Sequence, residues 1–87
     1  MKIFYIEWED AGCETHGQVA YEDAIALECM PRSNIGYLLK KTNKKVVIAF
    51  GIITDTNHQT SAYDVILVIP KSCITKMQCI KEVNLFP

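Results

Sequence analysis

The stretch Lys45-Val46-Val47-Ile48-Ala49-Phe50-Gly51-Ile52-Ile53-Thr54 decides the fold. Asn43-Lys44 precedes it as a turn, and the polar run Asp55-Thr56-Asn57-His58-Gln59-Thr60-Ser61 follows it as a loop. β-branched and aromatic residues bounded by such signals read as a strand. Ahead of the turn, residues 33–42 alternate, with Ile35, Tyr37 and Leu39 on one face and Gly36, Leu38 and Lys40 on the other. The two segments predict a hairpin tipped by Lys40, Lys41, Lys44 and Lys45.

Working outward, residues 63–69 form a further apolar strand closed by Pro70, and Lys71-Ser72-Cys73 fits one tight 3₁₀ turn before a last strand over 74–82. Residues 2–8 make a first strand, with Phe4, Ile6 and Trp8 on one face and Ile3, Tyr5 and Glu7 on the other. Residues 9–18 read as a loop. Residues 21–28 hold good helix formers for about two turns, and Pro31 prevents continuation.

This order predicts a mainly β chain: one domain over residues 1–87, a five-stranded SH3-like small barrel with one short helix after the first strand. Gly36 and Gly51 are the expected bends. A ferredoxin-like fold would need a second helix, and no segment supplies one.

The composition agrees with a globular domain. Of 87 residues, 49% are apolar and 22% charged, which argues against a disordered chain. No apolar run approaches the roughly 18–20 residues that span a bilayer, and the N-terminus lacks the apolar core of a signal peptide. The expectation is a cytoplasmic protein with no membrane partner. The first 31 residues carry a formal charge of −6 and the remainder +5, which reads as a mixed, solvated surface if the two regions interleave and otherwise as two poles suited to self-association or to drawing in an anion. A pI near 6.1 disfavours duplex DNA as a partner.

Cys13, Cys29, Cys73 and Cys79 have no Cys-x-x-Cys spacing, and Cys13-Glu14-Thr15-His16 is half a metal site without a second half, so neither metal nor cofactor is expected. Cys73 and Cys79 read as small core hydrophobes. Gly-x-Gly-x-x-Gly, Walker, Gly-x-Ser-x-Gly and His-x-x-x-His patterns are all missing. The three-residue spacing of Cys13 and His16 in a loop guarantees neither the geometry nor the activation of a nucleophile pair, and Glu7, Glu9 and Asp10, which could supply a base, read first as a solvated strand end. The chain reads as a non-enzyme.

The polar groups beside aromatics are more informative. Trp8 ends the first strand before Glu9-Asp10, while Tyr37 is neighboured by Arg32, Ser33, Asn34, Gly36 and Lys40. An aromatic platform, an amide for base edges and a cation for phosphate are what nucleotide binding requires. Trp8 or Tyr37 would stack a base, Asn34 and Thr54 would bond its edge, and Arg32 or Lys40 would face phosphate.

Four segments together resemble a group of short phage proteins: Glu7-Trp8-Glu9-Asp10-Ala11, Ser33-Asn34-Ile35-Gly36-Tyr37-Leu38-Leu39-Lys40, Val46-Val47-Ile48-Ala49 and Ile69-Pro70-Lys71-Ser72-Cys73-Ile74. Tyr37 stands where tryptophan is commoner in that pattern. Small phage proteins of this size include sponges that bind cyclic nucleotide signals and blunt host defence. The resemblance therefore implies a phage accessory protein in the host cytoplasm that sequesters a small nucleotide. A protein-binding adaptor using the same apolar strands is the competing reading.

The central strand is apolar on both faces, as is the strand over 63–69. An antiparallel strand with one wet face should alternate. Outward residues such as Val47, Ala49 and Ile53, or their alternates, need cover from the early helix or from a second subunit, so a homo-oligomer is expected.

Overall fold

A computed structural model describes residues 1–11, 17–57 and 59–84. Five strands, β1 (Lys2–Asp10), β2 (Met30–Lys41), β3 (Lys45–Thr54), β4 (Thr60–Pro70) and β5 (Ile74–Glu82), form one antiparallel sheet in the order β4-β3-β2-β1-β5. A single helix, α1 (Tyr21–Ile25), lies between β1 and β2, and a 3₁₀ turn (Lys71–Cys73) leads into β5. Mainly β architecture with five strands and little helix is as expected. The sheet is not closed into a barrel: β4 and β5 end it as separate edges.

Cross-strand partners share a face, so the register sorts the side chains. Phe4, Ile6 and Trp8 of β1 lie on the same face as Gly36, Asn34 and Arg32 of β2. Leu38 pairs with Ile48, which pairs with Leu67, and Val46 pairs with Ile69. Ile6, Trp8, Val46, Ile48 and Ile69 form the buried cluster on this inner face, with Phe4, Leu38, Leu67, Cys73, Ile74 and Met77 packed against it. Truncating a wholly buried member such as Ile48 to alanine costs about 2–5 kcal/mol. The 3₁₀ turn closes the lysine-rich end, where Lys71 N–H donates to the Lys44 carbonyl at 2.9 Å. Where β1 begins and β5 leaves the sheet, Met1 and Val83 exchange two hydrogen bonds of 2.8 and 2.7 Å.

Gly36 sits where β2 changes partners. Residues up to Tyr37 pair with β1, and pairing with β3 begins at Tyr37. A Cβ on Gly36 would stand 2.9 Å from the Ala49 carbonyl oxygen and 3.1 Å from Ile48 Cδ1. Glycine is required by this close approach. The turn between β2 and β3 is held by Thr42, whose hydroxyl accepts from Lys44 N–H and Lys45 N–H, each at 3.1 Å. Further along, the Asp55 carboxylate accepts from Asn57 N–H and Gln59 N–H and ties off the β3–β4 connection.

Several expectations shift. The helix stops at Ile25 rather than running to residue 28, because it has no capping side chain and buries nothing. It therefore covers none of the apolar sheet. Strand β2 begins earlier, at Met30; Pro31 is tolerated because β3 does not pair at that end, leaving its missing N–H on a free edge. Strand β4 begins at Thr60, since the loop is only residues 55–59. Cys79 lies exposed on the edge strand instead of in the core, whereas Cys73 is half-buried against it. Cys13, His16 and His58 lie outside the described residues.

Candidate binding cleft

The inner face opens into a cleft of about 240 Å³ at the end of the sheet remote from the lysines, lined by Trp8, Asp10, Arg32, Asn34, Phe50 and Leu67. Its composition follows from register. Trp8 is opposite Arg32 and Ile6 is opposite Asn34, so the two polar residues of β2 emerge on the apolar side of the sheet. Strand β3 contributes Phe50, the first residue beyond its last pairing with β2, and β4 contributes Leu67.

Two polar contacts organise the wall. Trp8 Nε1–H donates to Asn34 Oδ1 at 2.8 Å. An indole N–H only donates, so it selects the carbonyl side of the amide and leaves the Asn34 amino group as the donor available to a guest. Arg32 Nε donates to Asp10 Oδ2 at 2.7 Å in an ion pair whose side chains are 50% and 37% exposed. An exposed pair of this kind contributes little to stability, within about 1 kcal/mol. Its chemical effect is larger: it makes the rim a neutral donor–acceptor edge, with further guanidinium N–H groups beside a carboxylate.

Three of the expected site residues, Trp8, Arg32 and Asn34, converge here. Trp8 is only 8% exposed and serves as wall and hydrogen-bond donor, while Phe50, 44% exposed at the mouth, offers the open ring. Tyr37 lies on the opposite, outer face, paired with Ile3 and Ala49. Lys40 is also on the outer face. A β-bulge at Leu39 breaks the alternation, so Lys40 pairs with Val47 instead of following Gly36 and Leu38 inward. It lies six positions along β2 from Asn34, about 20 Å at the usual rise. Thr54 is exposed at the far end of β3, opposite Thr60. None of these three lines the cleft.

Asp10, Phe50 and Leu67 were missed as site residues. Asp10 had a signal, since it follows Trp8 by two and so shares its face; Phe50 and Leu67 join only through long-range pairing. Among the described residues no group of three or more His, Cys, Asp or Glu side chains could hold a metal ion. The Glu7 carboxylate accepts from the Tyr5 hydroxyl at 2.7 Å on the outer face, away from the cleft. No helix among the described residues is long and apolar enough to cross a membrane. No family model, curated protein or solved structure matches the chain.

Proposed function

We propose that this chain is a non-enzymatic binding module that takes the planar heteroaromatic end of a small nucleotide into the Trp8–Asn34–Phe50 cleft. The observation that carries this reading is the pairing of Trp8 with Asn34, which sets an oriented amide donor into an apolar wall beside an exposed aromatic ring. Phe50 stacks the base, the Asn34 amino group donates to a ring nitrogen or carbonyl, and the Arg32–Asp10 edge bonds a second polar position. A cleft of about 240 Å³ is below the range of roughly 300–1,000 Å³ usual for whole small-molecule sites. It admits one ring system, and the sugar and phosphates stay outside.

The strand order, with β5 returning beside β1 after a 3₁₀ turn, supports an SH3-like reading of the open sheet. With the resemblance to short phage proteins, the biological role that fits is a phage accessory protein that sequesters a cyclic nucleotide signal in the host cytoplasm and so blunts defence. Titration calorimetry against cyclic di- and trinucleotides tests it. Saturable binding lost in Asn34→Ala and Phe50→Ala is the expected result, and flat traces across the panel reject the reading.

One observation favours a protein-binding adaptor instead. Strand β4 is an eleven-residue edge with Tyr63, Val65, Ile66 and Val68 exposed, suited to strand addition by a peptide. That reading expects one stable protein partner and no rise in melting temperature with nucleotides.

A further inference from the structure

We infer that the outer face of β2, β3 and β4 is a self-association surface that packs against the same face of a second copy of this chain. The inference goes beyond the cleft, which opens on the other side of the sheet.

A compact monomer of 9.9 kDa exposes about 5,200 Å². This chain exposes 6601 Å². The excess of roughly 1,400 Å² exceeds the ~800 Å² each partner contributes to a standard interface. The radius of gyration, 17.1 Å, likewise exceeds the ~12 Å of a compact chain of this length. Two features go with this open form: α1 buries none of its residues, and large apolar residues of the sheet stand about half exposed.

Val47, Ala49, Gly51 and Ile53 of β3 share the outer face with Val68, Ile66, Asp64 and Ala62 of β4, while Ile35 and Tyr37 extend it across β2. Ile35, Ile53, Ile66 and Val68 are each about half exposed, and α1 covers none of them. Beyond Ala49, β3 pairs with β4 alone, a two-stranded ribbon that is marginal in water without something packed on it.

Charge selects a second copy as the occupant. An apolar middle, Tyr37 and Ile66 on either side of the wholly buried Ala49, lies between a Lys40–Val47–Val68 row at one end and a Gly51–Asp64 row at the other. A copy turned end for end brings its Lys40 end toward Asp64 and its Asp64 end toward Lys40. Such a contact is isologous and closes as a dimer.

Sedimentation equilibrium of the full chain at micromolar concentration tests this. The expected mass is about twice 9.9 kDa, and a single species at 9.9 kDa overturns the inference. Ile66→Lys, at a half-exposed position, should give a folded monomer by circular dichroism; a folded variant that stays dimeric overturns it too. If that variant aggregates, charge reversal decides. Lys40→Glu or Asp64→Lys alone should raise the dissociation constant about tenfold, because each contact recurs twice, and the double reversal should restore it. Unchanged constants in both single variants reject the surface. Nucleotide-induced melting shifts report on the cleft separately, so either idea can fail without the other.

Discussion

Trp8 and Asn34 are joined across β1 and β2 by a 2.8 Å hydrogen bond that belongs to both the core and the cleft. The indole fills the inner face while its one polar atom is satisfied by the residue that would contact a guest. Stability and recognition are therefore coupled at this pair. Trp8→Phe removes the donor and part of the buried ring, leaving the Asn34 carbonyl facing an apolar wall. A loss of about 1–3 kcal/mol in urea unfolding is expected, with the denaturant slope unchanged. An unaltered midpoint would show that the bond contributes nothing.

The Asp10 carboxylate restrains Arg32 through Nε, so removing its charge should favour anionic guests. Asp10→Asn is expected to strengthen nucleotide binding several-fold at low salt, with the gain shrinking as salt rises. Calorimetry at two ionic strengths reads this directly. Weaker binding in Asp10→Asn would mean that the carboxylate itself contacts the guest. Lys40→Ala and Thr54→Ala should leave affinity unchanged, since neither residue reaches the cleft.

Gly36→Ala should destabilise by about 1–3 kcal/mol, because its Cβ meets a backbone oxygen at 2.9 Å and the strands must part. Gly51→Ala should cost far less: its nearest neighbour is Asp64 Cβ at 3.3 Å on an exposed ribbon. Equal melting temperatures for the two variants would contradict the close approach of β2 and β3.

Val65 has φ of 50°, a left-handed conformation that a β-branched residue adopts only under strain. Asparagine tolerates that region, and the Val65 side chain is exposed. Val65→Asn is thus expected to stabilise by roughly 1 kcal/mol, raising the melting temperature by about 4–8 °C. A lower melting temperature would show that the valine makes a contact worth more than the strain.

How far the chain could be read in advance depended on whether the deciding interaction was local. The bounds of β3 and β5 and the 3₁₀ turn were legible because β-branched runs and the Pro70-Lys71-Ser72 break act within a few residues. Trp8, Arg32 and Asn34 were legible because polar groups beside an aromatic are visible in one dimension. The bulge at Leu39 was not. A single extra residue reverses the facing of Lys40, and alternation carries no mark of it. The C-terminal end of α1 was misread for a related reason: good helix formers continue to residue 28, yet the segment gains no packing that would hold them helical.

The paired hydrogen bonds between Met1 and Val83 bring the start of β1 and the exit of β5 together in one seam. Joining that seam with a short linker and opening the backbone at Asn43, in the lysine turn, would alter the order of synthesis while keeping every ladder. Neighbourhood in the sheet and succession along the gene are thus separable here, and a circularly permuted chain could carry fused cargo at the lysine pole, far from the cleft.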